Sequence, residues 1–142
     1  MAEHEHRYSP VAPYLMVHDG GAAIEHYKSA FGAEASERYD HAGKVGHVTL
    51  RINGADVMLS DEFPEHRDVV GTLSPKTLGG TTITISLAVD DVDRWYERAI
   101  RAGMSALRPP KDEFYGRNAK MRDPFGHVWS LTGPNKDPGK KG

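Results

Sequence analysis

An α+β fold of two βαβββ modules is predicted by three features of this sequence. Short segments such as 46–52 and 55–61 alternate apolar and polar residues with the period of a strand. Two other segments repeat apolar residues at helical spacing, each between an acidic cap and a stopping glycine. The chain also repeats itself: VHDGGAAIEHYKSAFGA lies over VDDVDRWYERAIRAGM at an offset of about 71 or 72 residues, weak in identity but clear in pattern.

In order along the chain, PYLMVH (13–18) predicts a strand. Asp19 can cap a helix over 21–31, with Ala23, Ile24, Tyr27 and Phe31 on one face and Gly32 ending it. Strands follow at 35–41, 46–52 and 55–61. They are joined by a turn at Ala42-Gly43-Lys44 and by Asn53-Gly54, a strong signal for a two-residue hairpin. The connection 62–80 carries Pro64, Pro75 and Gly79-Gly80. The order then repeats with a strand at 81–89 and a helix capped by Asp90 or Asp91, with Val92, Trp95, Tyr96, Ala99 and Ile100 on one face. Gly103 stops that helix, and strands follow at 104–108, about 117–122 and 127–132. Asp123-Pro124-Phe125-Gly126 fits a type I turn, with Asp first, Pro fixing φ and Gly fourth. The organisation is therefore a polar tail (1–10), a first module (11–63), a linker (64–80), a second module (81–133) and a second polar tail (134–142).

Composition narrows the function classes. The 142 residues suit one domain, or two small modules sharing a core, and 38% apolar with 27% charged residues is ordinary for a folded soluble chain. The net charge of −2 leaves no basic excess for nucleic acid. No apolar run is long enough for a bilayer and the N-terminus has no secretory core, so a cytoplasmic protein without membrane contact is expected. With no cysteine, disulfides, thiolate nucleophiles and zinc–thiolate sites are excluded together.

Period two also separates the strand faces. Val48, Leu50, Ile52, Val57, Leu59, Ile83, Ile85, Leu87, Val89, Trp129 and Leu131 are expected under the helices. The opposite faces then collect Tyr14, Met16, His47, Thr49, Arg51, Met58, Ser60, Thr84, Ser86 and Ser130. Hydroxyls, flexible apolar side chains and a cation suit a small-molecule pocket, though a solvated antiparallel face reads almost the same way. Among the histidines, His4 and His6 lie in the tail, His41 and His66 beside turns or loops, and His18 and His26 at a strand end and on a helix face. His127 is expected to buttress its turn. His47 is the candidate catalytic residue, as general base or hydrogen-bond donor, against the alternative of a structural histidine.

The motifs VHDGGAAIEHYKSAFGAE, GHVTLRINGADVMLSDEFPE, GGTTITISLAVDDVDRWYERAIRAGM and DEFYGRNAKMRDPFGHVWSL resemble, in order and spacing, the vicinal oxygen chelate superfamily of glyoxalase I, bleomycin-resistance proteins and extradiol dioxygenases. The nearest likeness is to its phosphonate-operon, glyoxalase-like branch. The resemblance implies paired βαβββ modules with outer helices, a U-shaped cleft and a homodimer, in some members with exchanged modules. It also implies four metal-ligand positions, which fall near Ala12, Ser60, Thr84 and Ser130. None of these supplies the imidazole or carboxylate that Ni, Zn or Fe wants. A shift of register toward Asp61, Glu62 or His18 would turn those residues to the wrong face. The segment 112–117 resembles the loop that closes over the cleft, with Tyr115 to stack on a ligand and Arg117 or Arg122 to pair with an anion. The expectation is a protein that binds a small organic molecule with no cofactor predicted, a divalent metal not being excluded. The alternative is a lyase, isomerase or oxygenase with a non-standard or metal-independent site.

Overall fold

The computed structural model describes residues 9–137. Its first sheet comprises β1 (Tyr14–Val17), β2 (Glu34–His41), β3 (Lys44–Ile52) and β4 (Ala55–Asp61), in the spatial order β1-β4-β3-β2. The second comprises β5 (Thr84–Ala88), β6 (Ser105–Glu113), β7 (Gly116–Arg122) and β8 (Val128–Gly133), in the equivalent order β5-β8-β7-β6. The first strand of each sheet pairs in parallel with the last, and the remaining pairs are antiparallel. This is the α+β βαβββ repeat.

Each long helix follows the first strand of its module. In α1 (Gly20–Phe31), Asp19 accepts from the Ala22 N–H at 3.1 Å, and Gly32 ends the helix in the left-handed conformation. Asp61 ties this junction to β4 and β3, accepting from the Gly20 N–H at 2.7 Å and the Val45 N–H at 2.8 Å. A Cβ at Gly20 would lie 2.8 Å from that carboxylate, so glycine is required by close approach. The second long helix, here α4 (Val92–Arg101), is capped by Asp91, which accepts from Arg94 N–H.

Linker 64–80 is not plain coil: it forms a 3₁₀ turn (Pro64–His66) and two single-turn helices, α2 (Arg67–Val70) and α3 (Pro75–Leu78). Strand β5 starts at Thr84 rather than Thr81, which leaves Ile83 56% exposed instead of packed. Strand β6 runs past Arg108 to Glu113 through Pro109 and Pro110. It is an edge strand with irregular register, where missing N–H donors are tolerated. The ends of the described chain are tied down: Ser9 exchanges hydrogen bonds with Asp56, and Lys136 and Asp137 donate their N–H groups to Asp112. The expectations for residues 1–8, with His4 and His6, and for 138–142 lie outside the described residues.

Helices α1 and α4 each cover one sheet and pack against each other. Phe31 meets Trp129 at 4.9 Å and Trp95 at 6.1 Å between ring centres, and Arg98 donates to the Ser29 and Lys28 carbonyls that end α1. The 123–127 turn locks the modules together. Asp123 is 3% exposed and accepts from the Tyr27 hydroxyl, Trp129 Nε1 at 2.8 Å, Phe125 N–H at 2.9 Å and His127 N–H at 3.0 Å. Nε2 of His127 then reaches the Met16 carbonyl at 2.9 Å on the free edge of β1. Burial and the Asp123 charge push the Tyr27 hydroxyl well above its ordinary pKa, so it stays a donor.

Replacing Tyr27 by Phe leaves one acceptor site of a buried carboxylate empty. A loss of about 1–3 kcal/mol is expected, read from urea unfolding. The pH dependence follows from His26, whose burial lowers its pKa from 6.5 against the opposing effects of Asp123 and an Ala102 backbone hydrogen bond. The unfolded chain binds that proton first. Its contribution is present above pH 6.5 and is lost as pH falls toward the lower folded value. In His26→Gln, the fall in unfolding midpoint between neutral and mildly acidic pH is expected to shrink.

Candidate functional site

The face of the first sheet turned away from α1 carries Tyr14, Met16, His47, Thr49, Met58 and Ser60. Register places Tyr14 beside Met58 and Met58 beside Thr49, with Met16 beside Ser60. The Tyr14 hydroxyl lies 2.8 Å from His47 Nδ1, and His47 Nε2 lies 3.0 Å from Thr49 Oγ1. Either neutral tautomer satisfies both contacts, with one ring nitrogen donating and the other accepting. Burial raises the Tyr14 pKa, so its hydroxyl is neutral at ordinary pH.

This face opens into a cavity of about 460 Å³ bounded by Tyr14, Met16, Gly46, Ser60, Phe63, Val70 and Thr72. A second hollow of about 370 Å³ shares Gly46, Phe63 and Val70 with it and is bordered by His41, His66 and Val69. The linker supplies their apolar wall, and two residues fasten it. Lys44 Nζ sits 4.6 Å from the Phe63 ring centre and donates to the Glu62 carbonyl. Glu62 accepts from Ser74 N–H at 2.9 Å and the Thr77 hydroxyl at 2.7 Å. Burial opposes its charge, but these hydrogen bonds and Lys44 hold its carboxyl below the ordinary range.

Thr84, Ser86, Ser130, Lys120 and Arg122 lie on the open face of the second sheet. Thr84 pairs with Val128 and Val128 with Arg122; Ser86 pairs with Ser130 and Ser130 with Lys120. Ser130 is buried and accepts from Asn118 Nδ2 at 2.9 Å. At the end of this face, against α3, lies a cavity of about 830 Å³ whose wall includes His18, Lys76, Thr84, Arg122 and Phe125. It shares no lining residue with the cavities on the first sheet.

Three residues expected in the pocket are engaged elsewhere. Arg117 donates to Asp93 at 3.1 Å and Asp112 at 2.9 Å, so its guanidinium clamps α4 to the β6–β7 hairpin rather than meeting a ligand. Burial works against its charge, yet the two carboxylates raise its pKa. Arg51 closes the Asn53-Gly54 hairpin through Asp56 and the Gly54 carbonyl. Tyr115 is half exposed on the β6–β7 turn, edge-on to Phe114, and lines none of these three cavities.

The family's metal positions do not offer a fitting donor set. The Ser60 hydroxyl donates to the Asp61 carbonyl, Thr84 and Ser130 carry hydroxyls, and Ala12 carries a methyl. Asp61 and Glu62 are occupied by backbone and hydroxyl donors. Among the described residues no group of three or more His, Asp or Glu is arranged to hold a metal ion. Phe63, Val70, Thr72 and Lys76 reach the cavities from the connection 62–80, whose strand-like periodicity is nil, so sequence reasoning missed them. Lys120 had a usable signal: it is two residues from Arg122 on a predicted strand.

Residues 7–131 match the family described as the Glyoxalase/Bleomycin resistance protein/Dioxygenase superfamily. The chain belongs to this superfamily. It is 40% identical over 131 residues to uncharacterized protein Mb0911c of Mycobacterium bovis, covering 89% of this chain and 84% of that protein. Among solved structures it resembles TioX from Micromonospora sp. ML1, with 26% identity, TM-score 0.67 and coverage of 88% and 95% of the two chains. A mutant of the fosfomycin resistance protein FosX of Listeria monocytogenes, solved with Mn(II) and a dihydroxypropylphosphonic acid, shares the fold at 17% identity and TM-score 0.66, covering 94% and 95%. The family match establishes the superfamily and not the phosphonate-operon branch. No helix among the described residues is long and apolar enough to cross a membrane.

Proposed function

We propose that this protein binds a small organic molecule on the open sheet faces without a metal ion, and that it works as a homodimer. The observation that carries the proposal is the pairing of formed cavities with the wrong donors for a metal: Ser60 lines one, Thr84 another, and Ser130 lies beside Ser86 on the same sheet face. An apolar chamber with a few placed polar groups suits an organic ligand, and Tyr14, Ser60 and Thr72 supply the polar groups of the first-sheet chamber, with His47 behind the Tyr14 hydroxyl. A second copy would cover sheet faces that a single chain leaves open, where Tyr14 is 44% exposed.

The Tyr14–His47 pair favours a second possibility, metal-independent lyase or isomerase chemistry. If the Tyr14 hydroxyl turned to a substrate, His47 Nδ1 would be freed to take a proton. Oxygenase chemistry draws no comparable support from these side chains.

Elemental analysis of untagged protein prepared without chelators is expected to find no stoichiometric Ni, Zn, Fe or Mn. Adding each ion is expected to leave the melting temperature unchanged; one bound metal per chain contradicts the proposal. Analytical ultracentrifugation at micromolar concentration is expected to give twice the chain mass, and a monomer would contradict the dimer.

A further inference from the structure

We infer that the cavity between α3 and the second sheet holds the anionic group of a small organic acid, with Arg122 and Lys76 as its charge partners. This deepens the small-molecule proposal above and rests on it.

The charges of the second module are largely matched among themselves. Arg94 pairs with Asp90, Arg108 and Lys111 with Glu113, Arg117 with Asp93 and Asp112, and Lys136 with Asp93. Arg98 is spent on the carbonyls of α1. Among the cations from residue 64 onward, Arg67, Lys76, Arg101, Lys120 and Arg122 have no ion pair or hydrogen bond from their side chains to any described residue. Two of the five, Lys76 and Arg122, line the same cavity, and its wall contains no Asp or Glu. In a chain with 20 acidic and 18 basic residues, a wall with cations and no carboxylate is a local positive field set in an acidic molecule.

The remaining donors have the same preference. Thr81, Thr82 and Thr84 bring three hydroxyls to the wall, and the guanidinium of Arg122 offers the fork that matches an oxyanion. Lys120 follows on the same face of β7, roughly 6.6 Å along the strand from Arg122. It lies in register with Arg108 on one side and Ser130 on the other. Arg108 already has Glu113, so Lys120 is the member of that pair left without a carboxylate, and it extends the positive field along this face. At about 830 Å³ the cavity exceeds what an inorganic ion needs and accommodates an organic body as well.

The test is a titration of the metal-free, full-length protein with benzoate, phenyl phosphate and benzyl alcohol, followed by amide resonances. At least one of the two anions is expected to shift Gly80, Thr82, Thr84 and Val128, with the neutral alcohol at least about tenfold weaker there. Arg122→Gln and Lys76→Gln are each expected to weaken the anion about tenfold, since each removes a charge-assisted contact. Lys28→Gln, on α1, is expected to leave binding unchanged. Equal binding of benzyl alcohol at those amides overturns the anion assignment while leaving a small-molecule cleft in place. Absence of any shift there with either anion also overturns it. The broader proposal then stands or falls on shifts at Tyr14 and His47.

Discussion

A carboxylate buried to 3% exposure must have its lone pairs filled, and that of Asp123 is satisfied only when α1, β8 and the 123–127 turn are all in place. Its four donors come from a helix of the first module, a tryptophan of the second and two backbone N–H groups of its own turn. The same turn sends His127 to the edge of β1 and packs Phe125 against His18, His26 and Tyr27. At Gly126, with φ of +93°, a side chain would strike Pro75 of α3, so the turn also fixes the linker. The two modules share one hydrophobic core, and this polar contact sits inside the aromatic cluster where they meet. Such a contact is worth most because its absence is so costly.

That arrangement decides where the site can be. The helices are consumed in packing the modules together, so the chemistry is left to the opposite sheet faces. There, the first sheet offers an apolar chamber with one tyrosine–histidine pair, and the second offers hydroxyls and unpaired cations. The two surfaces differ in character although the modules repeat in pattern. Of the four metal positions that the resemblance implies, Ser60 and Thr84 line cavities. Ser60 and Ser130 are buried within internal hydrogen bonds, and the nearby carboxylates of Asp61 and Glu62 hold backbone in place.

The fold was legible because its signals are local. Asp19 and Gly32 bound α1, and Asn53-Gly54 makes the hairpin turn with positive φ at both positions. Alternation in β3, β4 and β8 sorted core from open face. It failed at Ile83, where β5 had not yet begun. It could not see the prolines of β6 as strand, because only the edge position makes them acceptable. The site was less legible. Arg117 reads like a ligand arginine until the fold brings Asp93 to it from α4, 24 residues away in sequence. Lys76 and the linker walls depend on how a segment without periodicity folds back over a sheet, which no pattern of period two or 3.6 encodes.

The central claim is that the cleft binds an organic molecule by its own side chains. The most direct measurement is calorimetric titration, with and without EDTA, of a compound that raises the melting temperature of the metal-stripped protein. The same affinity is predicted in both conditions. Binding that EDTA abolishes and a divalent ion restores would contradict it.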